Sequence, residues 1–218
     1  MFNTGPAFFM HPSIRSVAIA LTAFFAVATF AEAMEMTSTY TKLDGPDCAQ
    51  KAPPKTGENE YSLEEGTLVC NGPKGFTATI HAYDGRSFMQ FGDDFGEGEM
   101  LGRTFMSFDM PGPAMEWRLH DGVPVAMILR FKIGGLSAPG VKDGRGNVLV
   151  IHRLPGLGGP ACHVAWVDAI ANKNANEMAR EVADAAPSFR CGTDKPHTFG
   201  EVTPIVAFEA ESLGLDRL

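Results

Sequence analysis

The chain has 218 residues, 18 Lys and Arg against 26 Asp and Glu, a net charge of −8, and four cysteines. So acidic a chain has no electrostatic reason to seek nucleic acid or anionic lipid. Residues 34–218 are one domain's length, enough to bury a core without a structural metal.

The first element is a leader. Arg15 precedes an apolar run from Ser16 to Phe30, and Ala31-Glu32-Ala33 follows as a small-x-small cleavage signal. Charged start, short apolar middle and small-residue exit make a secretory signal peptide over residues 1–33, with Met10 as an alternative start. The run is about fifteen residues, short of the roughly 20 that cross a bilayer core. The expected location is periplasmic or secreted, with no membrane span after cleavage.

Cys48, Cys70, Cys162 and Cys191 all follow the leader. An even count in an oxidising compartment reads as two disulfides. Three pairings are open. Cys48–Cys70 with Cys162–Cys191 is favoured because each closes a local unit, worth roughly 3 kcal/mol on the chain-entropy account. No C-x-x-C is present, so no dithiol redox motif is expected.

Residues 34–66 are polar and turn-rich, and Pro53-Pro54 with Gly57 argues against regular structure, apart from a short strand or turn around Cys48. From Gly66, T-L-V-C, N-G-P-K-G and F-T-A-T-I-H-A-Y read as strand, turn, strand. Asp84-Gly85 is a hairpin turn before R-S-F-M-Q-F. Residues 92–113 read as a long packed loop. A-M-E-W-R-L, the turn H-D-G-V, and P-V-A-M-I-L-R-F-K-I make a second hairpin. Its returning strand is apolar on both faces and therefore central in the sheet. After a loop at 134–147 come N-V-L-V-I-H-R-L, a turn, and A-C-H-V-A-W-V-D. One helix follows, with Asn174 as cap, a stripe of Ala175, Met178, Ala179, Val182 and Ala186, and Pro187 as its stop. Residues 192–218 read as a partly disordered tail in which V-T-P-I-V-A-F could form an edge strand. The expected fold is one α+β domain over residues 34–191: a mostly antiparallel sheet with a C-terminal helix packed on it and two disulfides.

E-W-R at 116–118, A-M-I-L-R at 126–130, A-C-H-V-A-W-V-D-A-I-A-N at 161–172 and N-A-N-E-M-A-R at 174–180 resemble a group of small exported bacterial proteins with no assigned activity. The resemblance covers roughly residues 40–195. It implies an exported protein with paired cysteines and transfers no catalytic residue.

P-A-C-H-V-A-W-V-D at 160–168 holds a thiol, an imidazole and a carboxylate, the parts of a cysteine nucleophile with its base and orienter. Neighbours in a strand point to opposite faces. Alternation puts Cys162, Val164, Trp166 and Asp168 on one face and His163, Ala165 and Val167 on the other. Export also favours the bonded thiol, and Asp168 reads as a residue that turns the chain toward the helix. His81, His120, His152 and His163 fall on strands or turns but lack metal-ligand spacing.

Glu116 and Arg118 share a strand face, and Arg130 on the paired strand could reach a carboxylate across the sheet. That set reads either as an anion clamp or, the favoured reading, as an ion-pair ladder. D-D-F-G-E-G-E at 93–99 supplies oxygen donors but not the spacing of a calcium loop. G-L-S-A-P-G-V-K at 135–142 has Val141 where a phosphate loop needs Lys. G-x-S-x-G and S-x-x-K are missing.

These observations lead to an exported, non-enzymatic binding protein without a cofactor, its partner an envelope protein or a small ligand. One alternative is a small hydrolase using His163 or His81 with Asp168, Glu116 or Asp84. The other is a metal- or ligand-binding protein built on the histidines and the 93–99 loop.

Overall fold

Two Asp-Gly pairs organise the chain. Asp84-Gly85 and Asp121-Gly122 both take positive φ at both residues, the twist that a two-residue hairpin requires. The first joins β4 (Thr77–Tyr83) to β5 (Arg86–Phe91); the second joins β6 (Phe108–His120) to β7 (Val123–Gly134). The computed structural model describes residues 1–2, 35–51, 66–92, 101–135, 144–156 and 159–217. The leader from residue 3 onward and the acidic loop at 93–99 lie outside the described residues, as does most of the loop at 134–147.

Two sheets result. The smaller runs β2 (Cys48–Lys51), β3 (Thr67–Asn71), β4, β5. The larger has seven strands in the order β1-β6-β7-β8-β9-β10-β11. Its remaining strands are β1 (Met36–Lys42), β8 (Gly146–Arg153), β9 (Cys162–Asp168), β10 (His197–Thr198) and β11 (Asp216–Arg217). Pairing is antiparallel except between β9 and β10 and between β10 and β11, which are parallel. Helix α1 (Ala175–Ala185) lies on the large sheet and continues into a 3-10 turn at Ala186–Ser188. A second helix, α2 (Pro204–Ser212), follows near the C-terminus. No described helix is long and apolar enough to cross a membrane.

The large sheet buries both faces, as the unbroken apolar run of β7 requires. Met127, Leu129, Phe131 and Ile133 enter a core shared with Ile80, Met89 and Phe91 of the small sheet and with Ile205, Val206 and Ala210 of α2. Ala126 and Ile128 enter a second core with Ala175, Ala179, Val182 and Ala183 of α1. Each fully buried Leu, Ile or Phe contributes roughly 1.5–3 kcal/mol, so β7 anchors both layers. Trp117 of β6 lies flat over Gly72, where a Cβ would sit 2.5 Å from the indole, so this position excludes any side chain.

Both disulfides take the local pairing. Cys48 and Cys70 are register partners on β2 and β3. The Cys162–Cys191 bond ties β9 to the chain after α1.

Four expectations change. Met36–Lys42, read as irregular, is the edge strand β1, paired with β6 from Ala114 to His120. Its Thr- and Ser-rich sequence alternates too weakly to show a buried face. β6 begins at Phe108, inside the expected loop, and runs through Pro111 and Pro113 because β1 does not pair with that half. The tail joins the fold: β10 and β11 extend the large sheet, and V-T-P-I-V-A-F forms the start of α2 rather than a strand. Thr203 stands at the N-cap and Pro204 in the first turn, where its missing N–H costs nothing. Finally, Asn174 occupies the N-cap of α1 without a side-chain capping bond; only its carbonyl accepts, from Met178 N–H at 3.1 Å.

Candidate functional site

The polar flank of α1 gathers the three sequence candidates Glu116, Arg118 and Arg130. Along β6, residues two apart are separated by about 6.8 Å, and along a helix residues four apart by about 6 Å. Glu116 and Arg118 on the strand therefore match Arg180 and Asp184 on the helix. Arg180 donates to Glu116 (Nε to Oε1, 2.6 Å), and Arg118 grips Asp184 with two bonds of 2.7 and 2.8 Å. Ser38 of β1 links the pairs, donating to Glu116 at 2.5 Å and accepting from Arg118 at 2.6 Å. Burial acts to raise the Glu116 carboxyl, but hydrogen bonds from Arg180 and Ser38 outweigh it and hold it below its ordinary range. This is an ion-pair ladder that fixes α1 on the sheet.

Arg130 is left out of it. Its Nη1 donates to Asn147 Oδ1 at 2.9 Å and its Nη2 to Asn176 Oδ1 at 2.8 Å, both neutral amides. Burial pulls its guanidinium below the ordinary value. A guanidinium carries five N–H donors, and three of these make no hydrogen bond among the described residues. Arg130 lines a cleft of about 160 Å³ together with the apolar Ile128, Leu149 and Ala114 and the polar Tyr40, Glu116 and Asn176. The sequence placed Arg130 against a carboxylate. Glu116 sits opposite Ile128 in the register, and Arg180 of α1 holds it instead.

A larger cleft, about 310 Å³, opens on the other flank of α1 between the helix, its 3-10 exit and the β9–β10 edge. Val164, Val182, Ala185, Phe189 and Phe199 form its walls, and Glu181, Asp194 and His197 are among the polar residues lining it. The sequence marks Val164 and Val182 only as strand and helix positions and none of the set as a site; Asp194, His197 and Phe199 lie in the segment read as a tail.

His163 does not meet a catalytic partner. Cys162 is bonded to Cys191. A register shift between β8 and β9 pairs Ile151 with Ala165 but His152 with His163. Val164 therefore joins Ala165 and Val167 in the α1 core, against strict alternation. The His163 ring packs on His152 at 4.6 Å between centroids, and His152 meets Phe91 at 5.5 Å. Burial lowers the pKa of both imidazoles; His152 is 0 % exposed, and the neighbouring His163 lowers it further. His163 Nε2 lies 3.4 Å from the Gly102 carbonyl.

The other candidate groups are dispersed. His81 contacts Gln90 on the small sheet. Asp84 pairs with Arg86 in an exposed turn. Asp168 is fully buried and accepts four hydrogen bonds: from Ile170 and Ala171 N–H, and from the N–H and hydroxyl of Thr203. It turns the chain, as expected, and also pins the start of α2. Among the described residues no three His, Cys, Asp or Glu side chains form a metal-binding group. No protein-family model, curated protein or solved structure matches this chain.

Proposed function

We propose that the protein is an exported, non-enzymatic binding protein whose ligand presents a carboxylate to Arg130. The observation that carries this reading is the contrast among three neighbouring arginines. Arg118 and Arg180 each hold a carboxylate, whereas Arg130, half-buried in a cleft, holds two amides and no carboxylate among the described residues. A half-buried cation with spare donors is a receptor for a carboxylate, which guanidinium binds in a two-bond fork. The apolar lining of Ile128 and Leu149 suits a short hydrocarbon body attached to it. Two disulfides accord with an oxidising location, and the leader supplies the route there.

The test is titration of residues 34–218 with benzoate and benzamide, followed by calorimetry and amide chemical shifts. Benzoate binds and shifts the signals of Ile128, Leu149 and Asn176, while benzamide does not. Arg130→Gln weakens benzoate at least about tenfold, the loss of a charged hydrogen-bond pair. Because Asn147 and Asn176 keep contact with water, the variant melts close to the parent. Equal affinity for acid and amide, or an unchanged affinity in Arg130→Gln, overturns the proposal.

A further inference from the structure

The second cleft has the opposite electrostatic character. Its walls are apolar and include two aromatic rings, Phe189 and Phe199. Of its carboxylates, Glu181 makes no hydrogen bond or ion pair among the described residues, and Asp194 is held by Arg190. No Lys or Arg side chain is among the residues lining it. Burial lowers the pKa of His197, which favours its neutral imidazole. The walls are set by the scaffold: Val164 comes two residues after Cys162 and Phe189 two before Cys191, and the disulfide joins them. A cleft of about 310 Å³ is at the lower end of small-ligand sites.

We propose that this cleft is a second binding site, for a small arylalkylamine whose ring packs on Phe189 and Phe199 and whose ammonium group meets Glu181. The ring gains offset or edge-to-face contact with two aromatic side chains. The ammonium gains a carboxylate that no described side chain neutralises. The chain's net charge of −8 favours approach of a cation. The site lies on the far flank of α1 from Arg130 and does not depend on the carboxylate reading.

Phenethylamine and 2-phenylethanol, equal in skeleton and different in charge, are the probes. Both are titrated into residues 34–218 at pH 7 with methyl and amide signals followed by NMR. The expected result is saturable binding of the amine that shifts Val164, Val182 and Phe199, with the alcohol about tenfold weaker. Glu181→Gln, an exposed helix position, lowers the amine affinity about fivefold and leaves the alcohol unchanged. Ala185→Phe fills the cleft and abolishes binding of both probes while its amide spectrum stays dispersed, which reports that the variant is folded. Equal affinity for amine and alcohol, shifts confined to other residues, or an amine affinity indifferent to Glu181→Gln would each refute the site. If Ala185→Phe loses its spectral dispersion, the wild-type shift map and Glu181→Gln decide.

Discussion

Asp168→Asn is the most demanding test of how the C-terminal segment is held. The change is isosteric, so it leaves no cavity, and it alters one atom. Oδ1 accepts from Ile170 N–H at 2.8 Å and Ala171 N–H at 3.3 Å; Oδ2 accepts from Thr203 N–H at 2.7 Å and its hydroxyl at 2.6 Å. All four contacts arrive as donors. An Asn must turn its NH₂ toward one pair. Facing Thr203 is the better choice, because the hydroxyl can reverse and accept, but the Thr203 backbone N–H is then orphaned. The site is fully buried, so water cannot replace the lost acceptor. Losing one charged hydrogen bond and weakening three others costs roughly 3 kcal/mol, from 1.5–3 kcal/mol for a bond to a charged group. Asp168→Ala, which loses all four, costs roughly 5 kcal/mol on the same scale. For a domain of this size 3 kcal/mol lowers Tm by about 6–12 °C. Urea and thermal unfolding of residues 34–218 measure both variants. Hydrogen exchange then locates the damage, which is faster exchange in α2 beginning at its first turn. A cost below about 1 kcal/mol for Asp168→Asn, or unchanged exchange in α2, would refute the reasoning.

Removing the second disulfide by replacing Cys162 and Cys191 with Ala frees a loop of sequence separation 29. The expected loss is roughly 3 kcal/mol by loop-closure entropy, read from the urea midpoint. Glu116→Gln breaks the Arg180 pair and leaves that guanidinium against a neutral amide. The parent's Glu116 carboxyl is held below its ordinary range, so its stabilisation is present above its unfolded pKa and fades as pH falls through the folded one. The variant's stability deficit, measured by urea unfolding, is therefore full at pH 7 and shrinks toward pH 3. His152 behaves differently, because its pKa is lowered by burial. The folded state prefers the neutral ring, so its stabilisation is intact above about pH 6.5 and is lost as pH falls below that value. His152→Leu should flatten the stability curve between pH 6.5 and 5; an unchanged slope would show that other groups set it.

Where local pattern and tertiary demand agree, the sequence is readable. The two Asp-Gly turns, the doubly apolar β7 and the Ala-rich stripe of α1 each fix a piece of structure within ten or twelve residues. Failures occur where a decision is made by a distant segment. β1 is a strand because β6 offers it an edge, and nothing in M-T-S-T-Y-T-K announces that. His163 changes face because of a bulge one residue away, and a strict period of two cannot show a bulge. Thr203-Pro204 has the N-cap and first-turn residues of a helix start, but the short β-branched stretch around it reads as a strand. The ladder is an intermediate case. Glu116 and Arg118 were recognisable as a charged strand face, and Arg180 with Asp184 stands four apart on the predicted helix. What sequence could not supply was the crossing of helix and strand that brings the two spacings into register.

That crossing also explains why Arg130 stands apart. If the polar flank served only to attach α1, each arginine on it would gain from a carboxylate, because a half-buried cation loses hydration that neutral amides restore only in part. Arg118 and Arg180 follow that rule and Arg130 does not. Asn176, its helix-side partner, is four residues before Arg180, one turn back along the same face. An acidic residue at position 176 would complete the ladder and close the cleft's charge. The substitution Asn176→Asp is therefore predicted to stabilise the fold by a few tenths of a kcal/mol to about 1 kcal/mol, the range for an exposed ion pair, while competing with benzoate for Arg130. Gain of stability with loss of carboxylate affinity, in one substitution, separates a binding residue from a structural one. A variant that gains stability and keeps its affinity would place the ligand elsewhere.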